Sequence, residues 1–126
     1  CSKKNVNHLE ELKKLAKHLS AEKGFLTCGD RFSLSVDGNR NITIPTLNKN
    51  AIDPVGAGDI FHSLASLLSC VSKNMFLTLF LSQIAGAHSV SFVGNSEYPT
   101  MNQILKTFNF YKNSIKNWFE SKQTQI

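Results

Sequence analysis

The apolar positions of the chain fall into four helical stripes and three short strands. Leu9, Leu12, Leu15, Ala16 and Leu19 recur at spacings of three and four, which predicts a helix over 7–20 with Gly24 as its stop. "FLTCG" then gives a short apolar strand over 25–28 that ends in a glycine. "RFSLSV" and "NITIP" alternate apolar and polar residues on either side of "DGN", the pattern of two strands joined by a hairpin turn. Beyond the linker "TLNKNAI" the helical period returns over 57–71, 75–91 and 100–121, the last marked by Ile104, Leu105, Phe108, Tyr111, Ile115 and Trp118. The layout is α/β, without repeats or low-complexity tracts. A lone strand and one hairpin make too little sheet to cover these helices. Either the sheet is completed by a partner, as in a homo-oligomer, or the chain is the C-terminal part of something longer.

Length and charge narrow the picture. A chain of 126 residues suits a single domain over 1–126 and is small for an enzyme with separate nucleotide and substrate lobes. The net charge of +5 comes from lysines interspersed with acidic and apolar residues. No basic stripe interleaved with aromatics emerges, which argues against nucleic acid as a partner. The most apolar run is broken by Thr78, Ser82, Gln83 and His88, short of what a membrane span needs. The polar, charge-alternating start does not resemble a signal peptide. Cys1, Cys28 and Cys70 are odd in number and lack metal-ligand spacing, as expected of reduced thiols in the cytoplasm. His8, His18, His62 and His88 show no metal spacing either.

Candidate chemistry concentrates in "DPVGAGDIF", residues 53–61. Gly56 and Gly58 can adopt positive φ and bring backbone N–H groups close to a ligand, with Ala57 keeping the turn compact. The apolar period starts immediately afterwards, so these amides fall in the first turn of a helix. There, unpaired donors and the positive end of the dipole favour a phosphate or a developing oxyanion. A carboxylate in such a place, Asp59, would repel the anion unless its task is to accept a proton, which makes it the candidate base. His62 and Ser63 follow it but do not complete a triad, because neighbouring residues point to different sides of a helix. A glycine turn alone is a weak signal. D-x-x-G-A-G-D, however, fixes five positions, and chance would match it on the order of once per million windows at average residue usage.

"DPVGAGD" closely resembles the D-T-x-G-A-G-D signature of the ribokinase-like (PfkB-type) carbohydrate kinases. "FLTCGDRFSLSVDGNRNITIP" resembles that family's strand ending in T-x-G and its hairpin, and "LSQIAGAHSVSFVGNSEYPT" its small-residue helix running into a glycine loop. The resemblance implies a partial ribokinase-like fold, the C-terminal portion of a larger three-layer αβα domain. It also implies ATP-dependent phosphoryl transfer to a hydroxyl of a sugar or sugar phosphate, with Mg2+ as cofactor. By this resemblance Asp59 is the base, and the amides of Gly56, Ala57 and Gly58 hold the charge of the transferring phosphoryl group. Thr27 and Gly29 match the T-x-G that lies against the nucleotide, and Ser82 and Gly86 are assigned to the nucleotide side as well. Asp53 and the carbonyl of Val55 match positions that bind a monovalent cation, K+, in many members. Three departures stand out: Pro54 replaces the signature threonine, Phe32 a common glycine, and Ser82 an asparagine near the adenine. The family's sugar-binding residues lie upstream of residue 1, so the isolated chain is expected to be inactive, or a noncatalytic nucleotide-binding or interaction module.

Overall fold

The computed structural model describes residues 7–47, 56–89 and 100–123. The elements run α1 (His8–His18), β1 (Lys23–Thr27), β2 (Phe32–Asp37), β3 (Arg40–Pro45), α2 (Ala57–Val71), α3 (Met75–Ser89) and α4 (Met101–Gln123). All four helices sit where the apolar period put them.

Helix α1 stops at His18, ahead of the glycine expected to end it. Ser20 takes a left-handed φ of 53°, Ala21 N–H donates to Ala16 O at 2.8 Å, and Ser20 N–H donates to Lys17 O at 3.1 Å. This paired arrangement is a Schellman close, with serine where glycine is usual. Gly24 lies inside β1 instead, opposite Val36. A Cβ there would come within 3.1 Å of both Leu12 Cδ1 and Val36 Cγ2, so the missing side chain lets α1 lie close on the sheet. Leu9, Leu12 and Ala16 pack on that face with Leu26, Leu34 and Val36, whereas Leu15 and Leu19 of the same stripe are exposed.

The strands form one antiparallel meander in the order β1-β2-β3. The strand expected to stand alone is therefore paired along its length with β2, from Lys23 opposite Asp37 to Thr27 opposite Ser33. Its partner is the very next segment, joined by a turn in which Cys28 N–H donates to Phe32 O at 2.8 Å and Gly29 takes φ 58°. The β2–β3 connection is the "DGN" hairpin, with Gly38 at φ 58° and Asp37 opposite Arg40.

Because side chains alternate across a strand, the register divides the sheet into two faces. Leu34 and Val36 face α1. Ser33 and Ser35 face the other way, beside Thr27 and Phe25 on β1 and Ile44 and Ile42 on β3. On this second face lies the larger core: Ile44, Phe61, Ala65, Leu79, Phe80, Ile84, Ala85 and Ile104, drawn from β3, α2, α3 and α4. Helix α3 is apolar nearly all round, which suits an element covered on several sides. Asn74 caps its start, accepting from Leu77 N–H at 3.0 Å. Thr100 and Gln103 form a reciprocal capping box at the start of α4. Helices thus cover both faces of the sheet in three layers.

Candidate active site at the start of helix α2

Helix α2 opens without a side-chain cap. Gly56 is its N-cap, in the left-handed region at φ 85° and ψ −10°, and among the described residues no side chain caps the helix start. The first helical bond runs from Ile60 N–H to Gly56 O at 3.1 Å, so the amides of Ala57, Gly58 and Asp59 precede the point where the ladder starts. A Cβ on Gly58 would meet nothing within 4 Å. Space is therefore open beside these donors. Asp59, in the same first turn, is exposed. His62 is turned toward Phe61, ring edge to face at 5.1 Å between centroids.

Two sequence-assigned residues sit behind this turn, on α3. Gly86 is buried, and a Cβ on it would come within 3.2 Å of Ala57 O and 3.6 Å of Phe61 Cβ. It backs the first turn of the helix that carries the candidate donors. One turn earlier, Ser82 has no exposed surface and its hydroxyl donates to Thr78 O at 2.8 Å. Its polar atom is thus engaged inside the helix.

Thr27 and Gly29 lie at the end of β1 and in the following turn. Thr27 shares the sheet face of Ser33, which is the side of α2 and α3. Gly29 is held by Thr46, whose hydroxyl donates to Gly29 O at 3.1 Å, and a Cβ on Gly29 would meet nothing within 4 Å. Between them, burial pushes the Cys28 thiol pKa up, with the Arg31 guanidinium opposing the shift. Phe32 points to the opposite face, its ring against His8 at 5.7 Å and beneath the Arg31 guanidinium at 5.6 Å. The bulky departure from the family pattern is therefore turned away from Thr27.

The residue that sequence reasoning missed is Gln83. Ser33 Oγ donates to Gln83 Oε1 at 2.5 Å, and Gln83 Nε2 donates to Pro45 O at 3.3 Å. One buried amide therefore ties α3 to β2 and to the end of β3, next to the Thr46 that holds Gly29. The available signal was an amide inside an apolar helical run, because a buried polar group needs partners. Beside this network Ser35 Oγ is buried without a partner.

Asp53 and Val55 lie outside the described residues, and with them the K+ assignment. Among the described residues no group of three or more His, Cys, Asp or Glu side chains is arranged to hold a metal ion. No helix among them is long and apolar enough to cross a membrane.

With this geometry in hand, similarity to solved structures is decisive. A ribokinase from Thermotoga maritima superposes with a TM-score of 0.69 at 24% identity, over 79% of this chain and 34% of that one. The fold is ribokinase-like. Phosphofructokinase-2 from Escherichia coli, solved in complex with potassium, matches with a TM-score of 0.73 at 15% identity, over 86% of this chain and 35% of that one. An Arabidopsis thaliana ribokinase complexed with ribose and ATP matches at 0.70 and 18% identity, over 82% of this chain and 34% of that one. This ribokinase-like chain spans about a third of the length of those proteins, so its fold is a part of theirs. No protein-family model and no curated protein matches the sequence.

Proposed function

We propose that the chain is the phosphoryl-transfer side of an ATP-dependent kinase acting on a hydroxyl of a sugar or sugar phosphate. The observation that carries this reading is the uncapped first turn of α2, with Gly56 left-handed, open space at Gly58 and an exposed Asp59 in one turn. Similarity to ATP-bound and sugar-bound neighbours supports the choice of substrates.

In the proposed reaction a substrate hydroxyl approaches the γ-phosphorus of ATP in line with the bond to the β-phosphate oxygen. The Asp59 carboxylate accepts the hydroxyl proton as the new O–P bond forms, and the bridging O–P bond breaks to release ADP. The amides of Gly56, Ala57 and Gly58 face the negative charge spread over the transferring oxygens. Fixed donors of this kind need no reorganisation at the moment of transfer. Thr27 and Gly29 lie against the nucleotide. Mg2+ neutralises phosphate charge when bound, and K+ would be held by Asp53 and Val55.

Asp59→Asn keeps the shape and the hydrogen-bonding reach but removes the base. In the full reading frame it should lower kcat by roughly 10²–10⁴-fold while leaving nucleotide affinity nearly intact. Turnover close to wild type would overturn the assignment. A second reading follows from the chain's share of its neighbours' length: a noncatalytic interaction module without a sugar site. Calorimetry of this chain with ATP and Mg2+ separates the cases, since binding without turnover fits a half-site and absence of binding fits an interaction module.

A further inference from the structure

We infer that Gly86 is a positioning residue that sets the aim of the Gly58 amide, and so of the proposed anion hole. The inference rests on the reading of α2 given above and adds to it a residue that touches neither substrate nor nucleotide. It starts from one distance. A Cβ on Gly86 would lie 3.2 Å from Ala57 O, closer than carbon and carbonyl oxygen ordinarily pack, so the oxygen would have to give by a few tenths of an ångström.

That oxygen is not independent of the site. Ala57 C=O and Gly58 N–H belong to one planar trans peptide, in which they point in opposite directions. Gly86 therefore sits against the back of the plane whose front edge is a proposed donor. A displacement of ~0.3 Å at the oxygen, about 1.8 Å from the Cα–Cα line, turns the whole plane by roughly 10°. If α2 instead shifts as a body, all of its first-turn amides move together. Phe61 Cβ, 3.6 Å from the same added atom, backs the next turn of α2 and leaves little room to yield by another route. Donor geometry matters at this scale, because a productive constellation must be held within about 0.5 Å and 10–20°.

The position of α3 is itself fixed less than one turn away. Gln83 bonds Ser33 of β2 and Pro45 of β3, which ties the helix to the sheet. A side chain added at Gly86 would thus act on α2 from a backing that is already anchored.

The test is a graded series in the full reading frame, assayed for kcat, KM for ATP and thermal midpoint. Misplacement by ~1 Å can cost about 100-fold, so Gly86→Ala should lower kcat several-fold and Gly86→Val by roughly 100-fold. For Gly86→Ala, KM for ATP and the thermal midpoint should stay near wild type. Ile84→Val, a core trimming on the same helix, should lower the midpoint and leave kcat unchanged. In this chain, the amide NMR signal of Gly58 should move on addition of ATP, and Gly86→Ala should reduce that movement. The inference is overturned if both Gly86 variants turn over at the wild-type rate while Asp59→Asn is disabled. It is equally overturned if kcat falls only in proportion to the folded fraction. Near-normal turnover of Asp59→Asn, or a Gly58 amide indifferent to ATP, would bring down the underlying reading of α2 and the inference with it.

Discussion

Gly58 separates folding from function more cleanly than any other residue of the chain. It lies in the first turn of α2 with nothing within 4 Å of where a Cβ would be, so no packing contact requires a glycine there. Alanine is the better helix former by up to about 1 kcal/mol. Gly58→Ala should therefore leave the thermal midpoint unchanged or raise it, while the new methyl occupies space beside the donors and lowers kcat/KM by at least ~10-fold. A variant both stable and fully active would show that the open space is not where the ligand goes. The proposed donors and base could be read from "GAGD", because glycines, a following apolar period and an out-of-place carboxylate are all local signals. Gly86 and Gln83 were not. The first acts through a contact with a helix 29 positions earlier, and the second through partners on two strands, and spacing along the chain encodes neither.

Elements were legible to the degree that their periods were long. The three later helices offer several turns of apolar spacing and were bounded nearly to the residue. Strands of five or six residues offer two or three alternations, so their existence could be read but the pairing of β1 with β2 could not. Gly24 misled for a physical reason: a glycine after an apolar stripe marks a helix end in most contexts, but here it makes room for Leu12 against the sheet. The true end of α1 uses Ser20 at φ 53°, a conformation that costs an L-residue about 1 kcal/mol and glycine almost nothing. Ser20→Gly should accordingly stabilise the protein by about 1 kcal/mol in urea unfolding; a destabilisation would show that the serine side chain holds the turn in some other way.

At the scale of the molecule, the described residues leave large apolar side chains uncovered. Leu67 and Val71 near the end of α2 are 65% and 78% exposed, and Phe110 on α4 is 79% exposed. Isolated apolar side chains are common on surfaces, but Leu67 and Val71 are four apart on one helix and so form a stripe. With the chain spanning about a third of its neighbours, such surface suits contact with further structure or with a second copy. In sedimentation velocity this chain alone should show a coefficient that rises with concentration, and Leu67→Glu with Val71→Glu should suppress the rise. An ideal monomer at every concentration would contradict this.

The far end of α2 has its own fastening. Lys23 reaches from β1 to Ser69 O at 3.1 Å, placing a cation on a carbonyl in the last turn of the helix, where the dipole is negative. A helix of 15 residues is about 22 Å long, more than two screening lengths at physiological salt. The ammonium therefore steadies the far end of the helix while adding little to the potential at the site proposed around Gly58. Stability is thus adjustable from the end of the element opposite the proposed site, and substitutions at Lys23 can drift without disturbing the chemistry proposed for Asp59.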